Sequence, residues 1–248
     1  MLEGFDLLIS LLIVVLGSVV YTTVSFGMGL VIVPVLLLFV DPIAAVVIVD
    51  VLIAFVALYV TFEARAELHI RKTYGLIIGS GIAIPIGAFA LSVSEPAVLK
   101  LVIGATIIGL GIISLLNINV PLAQNKFTAV IIGFVTYLCI TALGVGGPLS
   151  AWYAISQKWS VSQTRATLSA YFAIANILAL VCYISLGMLE KETTINILIL
   201  TPGAIIGILV AKPLVKRMKS TTFRYVSIGV IFSGGIALLS RELFNMFS

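Results

Sequence analysis

Long apolar runs separated by short charged stretches constrain this chain more than any motif within it. Residues 7–20, 43–60, 76–91, 99–116, 168–186, 195–210 and 226–239 each approach or reach the length of about 20 residues that a helix needs to cross hydrocarbon. Only 10% of the 248 residues are charged and 61% are hydrophobic, against roughly 25% charged in a soluble domain. The bilayer is therefore the solvent, and within it a chain must satisfy its backbone internally, as helices do. The expectation is an all-α integral membrane protein with roughly 6–8 transmembrane helices.

The first run is not read as a secretory signal, because Glu3 and Asp6 stand where a basic segment belongs and no small-residue cleavage site follows. Cys139 and Cys182 lie inside apolar stretches, where a free thiol behaves as a small hydrophobe. No disulfide, metal site or cofactor is expected. The net charge of +4 does not point to nucleic acid, since the basic residues sit in short loops between spans, the pattern of cytoplasmic loops in a membrane protein.

The chain repeats itself. Gly17-x-x-x-Tyr21 recurs as Gly133-x-x-x-Tyr137, and each is followed by a polar, glycine-rich break, residues 22–29 in one case and 141–148 in the other. The ends match as well, with Leu99-Lys100-Leu101 through Gly111-Ile112 resembling Phe223-Arg224-Tyr225 through Gly235-Ile236. This divides the chain into an N-terminal repeat, 1–117, and a C-terminal repeat, 126–248, joined by a linker at about 117–126 that holds Asn117 and Asn119. Loop charge orients the halves. Residues 63–72 carry Arg65, Arg71, Lys72 and His69, and residues 212–224 carry Lys212, Lys216, Arg217, Lys219 and Arg224, so both are expected in the cytoplasm. Their counterparts, residues 187–192 and 92–96, are short and net acidic and are expected outside. Equivalent loops on opposite sides describe an inverted-topology repeat. Both termini are then expected outside, and residues 7–40 and 127–156 are expected to form hairpin-like, re-entrant elements or pairs of short spans, with their breaks at membrane depth.

A helix that restarts after a glycine break presents unpaired N–H groups and the positive end of its dipole, which attract anions. Two restarts converging from opposite faces would hold a small anion at the midplane without any intramembrane lysine. The candidate binding residues are Tyr21, Thr22, Ser25, Gly27 and Gly29 from the first break and Tyr137, Thr141, Gly144, Gly146 and Gly147 from the second, with Thr23 nearby. The competing reading makes the glycines packing residues and has the hydroxyls bonded back to their own helices. Asp50 is the acid well inside an apolar run, where ionisation is costly. It is read either as a proton- or sodium-coupling or gating residue or as a carboxyl bonded to a neighbouring helix. Arg165 either steers or gates anions or snorkels to the interface, and Asn176, Ser169 and Tyr171 share its helix.

These residues resemble the TauE/SafE sulfite-exporter-like transporters, also called the TSUP family. The run Gly27-Met28-Gly29-Leu30-Val31-Ile32-Val33-Pro34-Val35-Leu36 is similar to that family's G-x-G-G-G-x-x-x-x-P-x-L signature, with Leu30 and Val31 where glycines are common. Gly133-Phe134 followed by Gly144-Val145-Gly146-Gly147-Pro148 is similar to its second pattern, and Asp41-Pro42 with Ala45 and Pro202-Gly203-Ala204-Ile205-Ile206-Gly207 fit as well. The resemblance implies secondary transport of a sulfur-containing anion, sulfite or an organosulfonate such as sulfoacetate, across the inner membrane. An anion channel or a membrane subunit of a larger transport complex is the alternative. Enzyme signatures such as H-E-x-x-H, G-x-S-x-G and paired intramembrane aspartates are missing from the sequence, as is a Walker lysine motif. Any driving force is then expected to be an ion gradient or the substrate's own.

Overall fold

The computed structural model describes residues 2–115 and 126–215. Among them are α1 Gly4–Val24, α2 Met28–Leu36, α3 Pro42–Glu63, α4 Tyr74–Val93, α5 Pro96–Leu115, α6 Lys126–Leu143, α7 Gly147–Ser156, α8 Val161–Ser185 and α9 Lys191–Val215. Short 3-10 turns at Arg65–Glu67 and Ile70–Thr73 connect α3 to α4. No strand occurs among the described residues. α1, α3, α8, α9 and α4 with the turn before it are each long and apolar enough to cross a membrane. The chain is a multi-pass, all-α membrane protein. The expected interrepeat linker, most of the basic loop beyond Val215 and the last apolar run lie outside the described residues.

Local chemistry sets the helix boundaries. Asp41 caps α3, its carboxylate accepting from the Ile43 N–H at 2.9 Å, with Pro42 in the first turn where its missing N–H costs nothing. Ser160 caps α8 by accepting from the Gln163 N–H at 3.1 Å. α1 and α6 end alike. Ser25 (φ 64°) and Gly144 (φ 71°) turn left-handed, and their N–H groups bond back to the carbonyls of Tyr21 and Ile140. Two residues later Gly27 and Gly146 open α2 and α7 with no side-chain cap.

The element order therefore repeats as long helix, three-residue break, short helix, long helix, long helix. The halves interlock: α4 lies along α6, α9 along α1, and α3 along α8. Small residues permit the first two crossings. A Cβ on Gly79 would collide with the Val130 carbonyl and one on Gly133 with the Leu76 backbone. One on Gly207 would meet Ser18 and the Val15 carbonyl. Close backbone approach of this kind is how helices gain dispersion contact in lipid. The outer faces are apolar, as with Leu8, Leu12 and Leu16 on α1 and Ile78, Ile82, Ile86 and Phe89 on α4. Stripes of that extent are solvated by hydrocarbon, not water.

α3 and α8 run antiparallel, since Glu63 near the end of α3 pairs with Arg165 near the start of α8, and Asp50 bonds Tyr183 near the end of α8. The equivalent connections α3–α4 and α8–α9 consequently leave the bundle at opposite ends, the arrangement an inverted repeat requires. One expectation changes. α1 is not the half-depth arm of a hairpin or one of two short spans, because its 21 residues reach about 30 Å at 1.5 Å per residue. α2, with 9 residues, is of half-membrane length, as is α7 with 10 in the second half. The helix continues through Tyr21-Thr22-Thr23-Val24 because the Thr23 hydroxyl bonds back to the Val19 and Val20 carbonyls, so the polar residues there do not break it.

Candidate functional site

The two breaks meet. A Cβ on Gly29, at the start of α2, would run into the carbonyl of Gly144, and one on Gly147, at the start of α7, would lie 3.0 Å from Phe26 Cβ and 3.4 Å from Gly27 N. Each break is thus a wall for the other. Between them lies a cavity of about 20 Å³, room for one water. Of the expected binding residues, Tyr21, Gly27, Gly29, Gly144, Gly146 and Gly147 line it, joined by Phe26, Met28, Leu30, Ile53, Ile140, Val145 and Phe172. The lining is apolar side chains and helix-start backbone, the usual composition of a small-ligand pocket.

The starts of α2 and α7 are unequal donors. Met28, Gly29 and Leu30 precede the first helical acceptor pairing of α2, Val31 N to Gly27 O. In α7, Pro148 has no N–H and Leu149 N is taken by the Gly146 carbonyl at 3.1 Å, so Gly147 supplies the donor there. Gly146 has a packing duty besides, because a Cβ on it would strike the Thr136 carbonyl.

Hydroxyls expected around the anion divide into two groups. Thr141 donates to the Tyr137 carbonyl, Tyr137 to the Phe172 carbonyl at 3.1 Å, and Thr23 to its own helix, so none of the three reaches the cavity. The Tyr21 hydroxyl, next to Ser169, makes no hydrogen bond of normal geometry, and the Thr22 hydroxyl is buried without a partner. Ser25 donates to the Arg165 carbonyl at 2.9 Å and accepts from Ser169 at 2.8 Å. Those bonds hold its left-handed backbone, which is unfavourable for a residue with a Cβ.

Each long helix leading into a break ends with one carbonyl held by α8. Arg165 Nε donates to the Thr22 carbonyl at 2.7 Å while its Nη1 pairs with Glu63 at 2.5 Å. Snorkelling is therefore overturned for Arg165: the side chain is 8% exposed and ties α1, α3 and α8 together. At the other break the Tyr183 hydroxyl lies 3.1 Å from the Thr141 carbonyl and donates to Asp50 Oδ2 at 2.7 Å. Asp50 is bonded to a neighbouring helix, outside the cavity lining, with Oδ1 lacking a partner. Asn176 is buried with neither amide atom bonded, and it too stands outside the lining. Tyr171 meets Ser80 at 2.8 Å and packs edge-on against Tyr137.

Sequence reading missed Phe172, Tyr183 and Glu63. The first two were within reach: positions 165, 169, 172, 176 and 183 recur at helical spacing, one stripe along α8 that passes both breaks. Glu63 gave no such signal, lying among other charges of its loop.

Comparison with curated proteins and with solved structures gives no match. A family model described as sulfite exporter TauE/SafE matches residues 10–238, the two breaks and all the helices around them. The chain belongs to the sulfite exporter TauE/SafE family.

Proposed function

We propose that this protein is a secondary transporter of a small sulfur-containing anion, sulfite or an organosulfonate such as sulfoacetate, across the cytoplasmic (inner) membrane. The anion binds between the starts of α2 and α7. The observation that carries this reading is the single cavity lined by Gly27 and Gly29 from one half and Gly144, Gly146 and Gly147 from the other. Helix-start N–H groups facing it suit an oxyanion, and a sulfite or sulfonate group offers several oxygens to accept from them. With room for about one water, the cavity belongs to a closed state, and binding requires the breaks to separate.

Proteoliposomes provide the test. Wild-type protein is expected to show saturable flux of sulfite or sulfoacetate, and Gly147→Ala to lower it, since the added methyl enters the gap between the breaks beside Phe26. Saturable flux unchanged in Gly147→Ala would reject the site, and flux that does not saturate would favour a channel.

A further inference from the structure

Asp50 is 2% exposed in α3, accepts from Tyr183 through Oδ2 at 2.7 Å and leaves Oδ1 without a partner. The Tyr183 hydroxyl also lies 3.1 Å from the Thr141 carbonyl. That carbonyl is in the last turn of α6, where no helical N–H follows to meet it. A phenol carries one hydrogen, so Tyr183 donates either to the carboxyl or to the carbonyl, not to both.

Groups around the pair narrow what can decide between them. Tyr137 of α6 faces Asp50, Cys182 stands beside Tyr183, and no cationic side chain pairs with Asp50 among the described residues. The pair also lies below a water-accessible space. A cavity of about 380 Å³ is lined by Asp41, Ala44, Gly187, Glu190 and Glu192 among others. Asp50 is less than two turns along α3 from Ala44, and Tyr183 is about one turn before Gly187. Acidic walls concentrate cations, protons included.

We propose that Asp50 takes up the coupled proton from this vestibule and that Tyr183 is a positioning residue that transmits its arrival to the second break. With the proton on Oδ2, the carboxyl donates to the Tyr183 oxygen and the phenol hydrogen turns to the Thr141 carbonyl, completing the end of α6. When the proton leaves, the phenol hydrogen turns back to Oδ2 and the Thr141 carbonyl loses its donor. One O–H bond forms or breaks, at Asp50, and the phenol keeps its hydrogen throughout. The break then tightens or loosens with the charge of a residue that never touches the anion.

The coupling rests on the transport reading above, and the test separates the two. In proteoliposomes, sulfite flux is compared with and without an imposed pH gradient for wild type, Asp50→Asn and Tyr183→Phe, each first shown to elute as wild type on size exclusion. The gradient response is expected in wild type and lost in both variants. A response kept by Tyr183→Phe overturns the relay, and one kept by Asp50→Asn overturns the proton site. Infrared difference spectra of the reconstituted protein on a pH step decide the matter without any substrate. A carboxyl band is expected in wild type, absent in Asp50→Asn and displaced in Tyr183→Phe. In wild type carrying ring-deuterated tyrosine, a tyrosine band should change over the same pH range. A carboxyl band unmoved by Tyr183→Phe, or no tyrosine change, overturns the proposal even if sulfite proves not to be the substrate. Absence of sulfite and sulfoacetate flux with these bands present would reject the transport reading alone.

Discussion

Gly29 and Gly147 both stand at helix starts beside the same gap, yet substitution should separate them. At Gly29 the new methyl has only the Gly144 carbonyl to displace, and backbone does not yield. At Gly147 it lies 3.0 Å from Phe26 Cβ and 3.4 Å from Gly27 N, a tight contact but not the overlap with a carbonyl that Gly29 meets. Gly29→Ala is expected to destabilise by about 1–3 kcal/mol, as overpacking does, and Gly147→Ala by less. Detergent melting temperatures check the order, and equal shifts would contradict the direct contact. Arg165→Met is expected to lose on the order of 1–3 kcal/mol by leaving the Thr22 carbonyl buried without a donor. Glu63, 44% exposed, can turn to water and adds little. A melting temperature unchanged in Arg165→Met would remove the fastening assigned to it. Thr141 and Tyr137 show why residue type alone was a weak guide. A hydroxyl in a helix has a carbonyl of its own chain within reach, and only the packed neighbours decide whether it turns there.

α8 is the element on which both breaks depend, and its one face carries Arg165, Ser169, Phe172, Asn176 and Tyr183 in order. Asn176 stands out in that row because its amide has no partner at either end. A buried amide in that state costs about 1–3 kcal/mol, so Asn176→Leu, close in volume, should stabilise the closed form. If melting rises while sulfite flux falls, the amide works in another conformation of the transport cycle; falling stability would mean it already has a partner here. Helix positions and the two breaks were legible in sequence because apolar run length and Ser/Gly breaks act locally. The full length of α1 was not, since Thr22 and Thr23 resemble a break until the Thr23 hydroxyl is followed back to the Val19 and Val20 carbonyls. Partners across halves, such as Asp50 with Tyr183, are distant in sequence and leave only the 3-4 spacing on α8 as a trace.

Across the whole molecule, antiparallel α3 and α8 put the turn at 64–73 and the turn at 186–190 at opposite ends of the bundle. Single cysteines at Glu67 and Glu190, in a background with Cys139 and Cys182 replaced by alanine, should react with an impermeant maleimide from opposite sides of sealed vesicles. Labelling of both from one side would reject the inverted arrangement. Loop charge predicts the same sidedness, because the positive-inside bias acts on short loops whatever the packing between them. Interlocking of the halves was not foretold, as no charge or period marks which helix lies along which.

That interlocking has a consequence for the order in which the protein can be made. Ser18 and Val15 of α1 receive Gly207 of α9, so α1 is held by a helix that leaves the ribosome far later. At about 5–20 residues per second, the wait is on the order of 10–40 s. During that time the seam of Leu11, Val14, Val15 and Ser18 has lipid or an insertion chaperone for company instead of its mate. A chain halted after α8 should therefore leave α1 open to protease and lateral exchange, and release of α9 should close it.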